Sequence, residues 1–169
     1  AVASKEAHLV SSPQFCSSEL FQLLLSCSSQ RPRRISSVTF DLWVALQDIP
    51  VEKRHPYVQQ EVFRVLLQSM LVQCSYPADY SGDWAESADD EDDLIEYRMS
   101  HGFSEVVQVC GYALDMSFFD VLYQSISECT SSDGESLVLV DWRRLDAALH
   151  VLHRAVEAVK SQVHSEASH

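Results

Sequence analysis

The residues best suited to metal chemistry lie near the C-terminal end of the chain. Asp146, His150, His153 and Glu157 follow one another at i, i+4, i+7 and i+11, a spacing that places them along one side of a helix. Histidine nitrogens and carboxylate oxygens bind zinc, so a helical metal-binding enzyme is one hypothesis. No second cluster completes a tetrahedral set, and the sequence favours a solvated or interhelical face. We therefore predict no catalytic residue, no metal site and no cofactor.

Other enzyme motifs are missing from the sequence. Its four glycines form neither a phosphate-binding loop nor a dinucleotide fingerprint, and no G-x-S-x-G elbow occurs. Twelve Lys and Arg stand against 25 Asp and Glu, giving a net charge of −13, which excludes a general nucleic-acid binder. No apolar run approaches the ~20 residues that a membrane span needs. These features favour a protein that binds other proteins without catalysis.

An acidic segment between residues 77 and 96 is the strongest local signal. It holds nine carboxylates and no Lys or Arg, and its first half is predicted to be a surface loop. Such a segment attracts basic partners electrostatically, although a solvated insert without a partner has the same composition. Trp84 lies inside it where no apolar stripe explains a tryptophan. The candidate partner-binding residues are Trp84, Asp89, Asp90, Glu91, Asp92 and Asp93.

The elements that must position these residues are predicted to be helices. Hydrophobic residues make up 46% of the 169, and only four Gly and five Pro interrupt them, which leaves long stretches without helix breakers. Apolar residues recur at helical spacing in six segments. Gly102 is a candidate break within the fourth. The segments cover approximately residues 18–27, 35–49, 56–74, 94–114, 119–129 and 142–163.

The six helices pair into a repeating pattern. The second helices of the pairs centre near residues 42, 106 and 149, so the intervals are 64 and 43 residues. The second interval matches the ~40 to 47 residues of a HEAT repeat, and removing the acidic insert brings the first into that range. We predict an all-α fold, an α-α superhelix of the HEAT/armadillo type with about three helical hairpins; a compact helical bundle is the alternative. The approximate repeats are 13–50, 56–114 with the insert at 77–93, and 116–163.

Several residue types are interpreted as packing groups. The five cysteines are an odd number without a two-residue gap, which indicates a reducing compartment and thiols that act as small core residues. Trp43 and Trp142 lie at helical spacing and are predicted to pack in the core or between repeats, with stacking on cargo as the alternative. Arg31, Arg33 and Arg34 are predicted to extend over the surface of the first turn. An acidic partner or a phosphate is the other hypothesis for these arginines.

A series of motifs resembles a known family. The stretch Val38-Thr39-Phe40-Asp41-Leu42-Trp43, followed by Leu46, is similar to the Thr-Phe-x-Phe-Trp helix of importin-β-type nuclear transport receptors (the karyopherin-β family) in the transportin-SR branch. Four further segments follow in the order that the family has: the helix Val62 to Val72, the acids Asp89 to Asp93, Glu96-Tyr97-Arg98 and Val106-Val107. Trp142 with Leu145-Asp146-Ala147-Ala148-Leu149 resembles its Trp-x-x-x-Glu-Ala-x-Leu helix. The resemblance covers approximately residues 20 to 159.

This resemblance implies a function as well as a fold. Such receptors are several times longer, so the chain would be an internal fragment of about three HEAT repeats. The family carries protein cargo through the nuclear pore under the control of Ran, in the nucleus and the cytoplasm. The implied partners are protein cargo, basic or Arg/Ser-rich, with the Ran GTPase and nucleoporins, and without direct contact to nucleic acid or membrane. A HEAT-repeat scaffold of another assembly is the alternative function.

Overall fold

The computed structural model describes residues 18–50, 53–55, 57–77, 80, 88–130 and 141–166. Every regular element of these ranges is a helix, and no strand occurs in them, which confirms the predicted all-α class. The packing of the helices is compatible with an α-α helical repeat. The helices are α1 Ser18–Ser28, α2 Arg33–Ser37, α3 Phe40–Leu46, α4 Gln60–Gln73, α5 Ala88–Met99, α6 His101–Leu114, α7 Met116–Thr130 and α8 Trp142–Glu166.

The helices pack in three layers that follow the chain. The first layer is α1–α3, the second is α4–α6 and the third is α7–α8. Helices of the second layer contact both others: α4 packs on α1 and α8, and α6 packs on α3 and α8. Within the described ranges, no substantial packing joins the first layer to the third. This is the neighbour-to-neighbour arrangement expected of a stacked helical array.

The second predicted helix is in fact two short ones. The sequence pattern favours one helix over residues 35–49, but α2 ends at Ser37 and α3 begins at Phe40. Local hydroxyl groups account for the break, because the Thr39 Oγ1 donates to Ser36 O over 2.8 Å and the Thr39 N–H also turns back to Ser36 O over 3.1 Å. Such bonds compete with regular helical ones.

A buried polar network fixes these short helices. The Trp43 indole N–H donates to Ser28 Oγ over 3.0 Å, and Ser28 Oγ lies 2.9 Å from Thr39 Oγ1. Ser36 Oγ donates to Ser28 O over 2.6 Å and lies 3.4 Å from the Tyr97 hydroxyl. Burial raises the pKa of Tyr97, so its hydroxyl stays protonated. The network joins α1, α2, α3 and α5 and therefore ties the first layer to the second.

The core runs through the middle layer. Buried apolar side chains lie on several faces of α4, and Val106, Val107 and Cys110 of α6 are buried between the outer layers. Burial raises the pKa of the Cys74 thiol to about 12 and also raises that of Cys110, which fits their interpretation as core residues. Trp43 is fully buried, and its predicted packing role is confirmed.

Helical spacing places Phe119, Leu149 and Val156 on the apolar stripes of the last two predicted helices, but the structure exposes all three. On α7 the buried residues are Phe118, Val121 and Leu122, so the covered face includes Leu122 of the stripe but not Phe119. An apolar stripe broader than the contact with neighbouring helices does not reveal which edge is covered.

The break between α5 and α6 is caused by a cap. Ser100 precedes α6, and its Oγ accepts a hydrogen bond from the Phe103 N–H over 3.2 Å. Gly102, predicted as the break, instead allows close packing, since a Cβ added there would lie 2.9 Å from Phe40 Cδ2. A Cβ at Gly111 of the same helix would meet no atom within 4 Å.

The two glycines of α6 are expected to respond in opposite directions to alanine. Gly102→Ala should lower the free energy of unfolding by about 1 to 2 kcal/mol, because the added methyl group crowds the Phe40 ring. Gly111→Ala should raise it by roughly 0.5 to 1 kcal/mol, because alanine restricts the unfolded chain and favours a helix. Urea unfolding followed by circular dichroism measures both. A stabilised Gly102→Ala variant would contradict the close packing of α3 on α6.

Candidate partner-binding surface

The acidic segment begins a helix. Its five consecutive acids, residues 89–93, lie in the first two turns of α5, where negative charge complements the positive end of the helix dipole. Asp92 is exposed and Asp93 is half-buried. Trp84 lies outside the described residues, as do the side chains of Asp89, Asp90 and Glu91, although the backbone of these three acids is helical. Their predicted role in partner binding stays a prediction.

Asp93 has a partner within the chain. Its Oδ2 accepts a hydrogen bond from Arg33 Nη1 over 3.0 Å, and the Arg33 side chain is only 4% exposed. The same guanidinium donates through Nε to Gln73 O over 2.6 Å and through Nη2 to Ser75 O over 3.2 Å. The interpretation of Arg33 as a surface group is wrong, because its charge is used inside the fold.

A second arginine reaches the same end of α4. Arg98 Nε donates to Cys74 O over 2.8 Å, and Arg98 Nη2 forms an ion pair with Asp146 Oδ2 over 2.5 Å. Arg33 and Arg98 therefore bind three successive carbonyls at the C-terminus of α4. A helix leaves its last carbonyls without intrahelical donors and concentrates negative partial charge there, so two cations stabilise this end.

An aromatic cluster lies next to Arg98. The Tyr76 ring stacks on Tyr80 with centroids 4.9 Å apart and lies 5.1 Å from the Trp142 ring, while Tyr80 and Trp142 are 5.7 Å apart. The Arg98 guanidinium lies over Tyr76 at 4.9 Å, and that of Arg143 lies over Trp142 at 5.8 Å. Trp142 is 45% exposed. It packs, as predicted, but it also presents an aromatic surface beside the acidic segment.

A groove lies between α2 and α5. Its volume is about 320 Å³, and its lining includes Arg34, Val38, Asp93, Glu96 and Tyr97. Glu96 is exposed and lies one helical turn beyond the exposed Asp92. Asp93 is engaged by Arg33, so among the side chains that the structure describes in this part of α5 the exposed carboxylates are Asp92 and Glu96. The surface can bind and orient a basic segment.

The predicted histidine and carboxylate cluster has other partners. Asp146 binds Arg98, the His150 Nε2 lies 3.3 Å from Arg98 O, and Glu157 binds Arg154 and lies 3.4 Å from His153. Burial, with Arg98 nearby, lowers the pKa of His150. Among the described residues no group of three or more His, Cys, Asp or Glu is arranged to hold a metal ion. Asp146 and His150 thus both contact Arg98, whereas His153 and Glu157 contact each other.

No family model, no curated protein and no solved structure matches this chain. Among the described helices, no single one is long and apolar enough to cross a membrane. Helices α6 and α7 together reach that length and composition, but they are bent by 112° at the junction between them.

Removing the charge of Asp93 is expected to destabilise the fold more than removing the charge of Asp92. Asp93→Asn should lower the free energy of unfolding by about 2 kcal/mol, because it leaves the buried Arg33 without its carboxylate. Asp92→Asn makes the same change in net charge at an exposed position and should stay within about 0.5 kcal/mol of the wild type. Thermal unfolding followed by circular dichroism compares the two. Equal effects would mean that the Arg33 pair contributes little to stability.

Proposed function

We propose that this chain is a protein-binding segment of a nuclear transport receptor of the importin-β type, which carries protein cargo through the nuclear pore under the control of Ran. The order of family motifs along the chain supports the proposal, as does the layered packing of its helices. The single observation that carries the binding role is the carboxylate-rich start of α5, which presents Asp92 and Glu96 to solvent. The segment performs no catalysis in this proposal.

The partner class follows from charge. A chain with a net charge of −13 and carboxylates clustered on one helix attracts basic segments, and long-range attraction raises the rate of encounter. Trp142, which is 45% exposed, adds an aromatic surface on which guanidinium groups stack, as that of Arg143 does at 5.8 Å. An Arg/Ser-rich cargo segment combines both properties. Nucleoporins are further candidate partners of the complete receptor.

A binding experiment with matched charge changes tests this role. We expect a fluorescent Arg/Ser-rich peptide to bind the chain with an affinity that falls as salt is added. Asp92→Asn combined with Glu96→Gln should weaken binding roughly threefold to tenfold, because each exposed charge contributes a modest attraction. Asp48→Asn combined with Asp120→Asn removes two exposed carboxylates elsewhere and is the control. Equal loss in both double variants would indicate attraction by net charge alone and remove α5 as the binding element.

A second experiment separates the receptor from a scaffold of another assembly. In a receptor under Ran control, Ran loaded with GTP is expected to change the affinity of the complete protein for the peptide, whereas Ran loaded with GDP is not. This follows from linkage, since two ligands of one protein alter each other's affinity by the same factor. A scaffold is expected to be insensitive to both forms of Ran. That result would favour the scaffold function.

A further inference from the structure

The outer side of α8 carries a stripe of apolar residues, called the outer stripe below. Leu145, Leu149, Leu152 and Val156 follow one another at intervals of four, three and four residues, and valines continue this spacing in the sequence to residue 163. Leu149 and Val156 are 52% and 43% exposed, whereas Leu145 and Leu152 are half-buried. Alternating intervals of three and four residues are the heptad spacing with which one helix packs along another. The occupant that fits this stripe is therefore a helix.

The outer stripe lies on the side of α8 that faces away from the second layer. Ala147, Ala148 and Val151 are buried, and α8 packs on α4 and α6. Successive residues of a helix are about 100° apart, so Leu149 lies roughly 160° from Val151. The rest of the described chain therefore leaves this side of α8 uncovered at Leu149 and Val156.

Helix α7 shows the same arrangement. Met116, Phe119 and Tyr123 are 69%, 52% and 73% exposed and follow one another at i, i+3 and i+7. They lie roughly 140° to 160° from the buried Val121. Both α7 and α8 pack on α4 and α6, so their exposed apolar sides face outward together. A stacked array needs a polar face on a terminal layer that stays in solvent, which indicates that the outer side of the third layer is an interface.

An ion pair fixes the level of α7 against α8. Arg144 Nη1, in the first turn of α8, lies 3.4 Å from Glu128 Oε2 in the last turn of α7. Since the two helices also pack along each other, they run antiparallel. Each residue forward along α8 then corresponds to one residue backward along α7. The midpoint between Leu149 and Leu152 of α8 therefore lies level with residues 121 and 122 of α7.

We propose that a second copy of the chain packs on the outer side of α7 and α8, around a twofold axis at this level. The two α8 helices are antiparallel, so Leu149 of each copy lies beside Leu152 of the other, and Leu145 lies beside Val156. Every member of the outer stripe thereby meets another member, as an isologous interface requires. Together with the exposed apolar residues of α7, the stripe forms the apolar centre of an interface of ~800 Å² per copy.

The same axis makes the polar groups around the stripe complementary. On α7 it brings the exposed Tyr123 hydroxyl to the exposed Asp120 of the second copy, where it can donate to the carboxylate. On α8 it brings His153 close to Asp146 of the second copy, and these side chains are 65% and 41% exposed. Positions that flank a heptad stripe pair helices by opposite charge. A second copy is favoured over an unrelated protein because one axis satisfies both helices.

Sedimentation equilibrium of the 169-residue chain tests this arrangement. We expect a monomer–dimer equilibrium across a wide range of concentration. Leu149→Asp should weaken the dimer at least tenfold, because it places a carboxylate from each copy in the apolar centre of the interface. Leu23→Asp makes the same change at a residue of α1 that is 59% exposed and is the control. Circular dichroism verifies that both variants are folded.

Histidine variants test the position of the axis. His153→Glu places a carboxylate beside Asp146 on both sides of the interface and should weaken the dimer roughly threefold to tenfold, whereas His153→Lys should preserve it. His101→Glu on α6 is the matched control, because His101 Nε2 lies 3.4 Å from Glu105 Oε1 just as His153 Nε2 lies 3.4 Å from Glu157 Oε1. Equal loss in His153→Glu and His101→Glu would overturn the axis.

Introduced thiols test the antiparallel register. In a mixture of Leu145→Cys and Val156→Cys chains, oxidised glutathione is expected to produce a disulfide between the two variants, because these positions are neighbours across the axis. Identical positions are eleven residues, or about 16 Å, apart along the helices, so neither variant alone should cross-link more than the wild type. A cross-link within Leu145→Cys alone would indicate parallel helices and overturn the arrangement.

Two further outcomes would overturn the proposal. One is a chain that stays monomeric at every concentration, which would leave a helix of another protein, or residues 131–140 of the same chain, as the occupant. The other is equal loss of the dimer in Leu149→Asp and Leu23→Asp. A monomeric chain would leave the binding of the Arg/Ser-rich peptide intact, because that experiment concerns residues of α5.

Discussion

Replacing Arg33 with methionine is expected to lower the free energy of unfolding by about 4 kcal/mol. Methionine retains much of the length and the apolar stem of arginine but offers no donor. Asp93 then loses its buried cation, and the carbonyls of Gln73 and Ser75 lose the donors described above. Leaving buried acceptors without partners costs more than the bonds contribute when they are intact. Urea unfolding followed by circular dichroism gives the free energy.

The neighbouring arginine provides the control for this result. Arg34 is exposed, so Arg34→Met makes the same chemical change one residue away and should alter stability by about 0.5 kcal/mol or less. A double variant, Arg33→Met with Asp93→Met, removes both charges and should recover part of the loss, since replacing a buried pair by apolar groups is often tolerated. Equal stability of the two single variants would show that Arg33 is not engaged as described.

Replacing Trp43 with alanine is expected to cost about 4 kcal/mol, the range observed when a large core aromatic is truncated. The indole is fully buried, lies against the Phe63 ring at 6.5 Å and donates to Ser28 Oγ. Alanine would open a cavity between the first and second layers and also remove the donor from the buried hydroxyl network. Urea unfolding measures this cost. The midpoint urea concentration should fall, while the slope of the unfolding free energy against urea concentration stays constant.

Two further variants separate volume from hydrogen bonding. Trp43→Phe fills much of the space without an indole N–H and is expected to cost about 1 to 2 kcal/mol. Trp142→Ala removes a half-exposed indole from the aromatic cluster and is expected to cost less than Trp43→Ala. If Trp142→Ala were the more destabilising of the two alanine variants, the core would be centred on the aromatic cluster instead of on the interface between the first two layers.

The all-helical class could be predicted because it depends on local periodicity. Apolar residues at helical spacing predicted a helix over residues 18–27, and α1 covers Ser18–Ser28. The break at Val38 and Thr39 does not follow from apolar periodicity, because the local bond from Thr39 Oγ1 to Ser36 O causes it and the bond from Ser36 Oγ to Ser28 O holds it against α1. Periodicity also gave the wrong edge of α7, where Phe119 is exposed.

The candidate site could be predicted less completely than the fold. Composition identified the acidic segment, and its position at the start of a helix follows from the preference of carboxylates for a first turn. The pairing of Arg33 with Asp93 spans 60 positions, and that of Arg98 with Asp146 spans 48. No local pattern encodes such pairings. The sequence does contain a weak signal. Three arginines lie near one turn of a very acidic chain, which indicates that at least one of them forms an ion pair with a carboxylate of the same chain.

The layered arrangement has a consequence for how the two edges of the molecule influence each other. Since α1–α3 and α7–α8 share no substantial packing in the described ranges, energetic coupling between them passes through α4–α6. Replacements confined to opposite edges, such as Trp43→Ala and Val151→Ala of α8, should have additive costs to within about 0.5 kcal/mol. A ligand that binds one outer layer is thus expected to leave the affinity of the other outer layer for its own ligand unchanged, unless the first ligand deforms α4–α6.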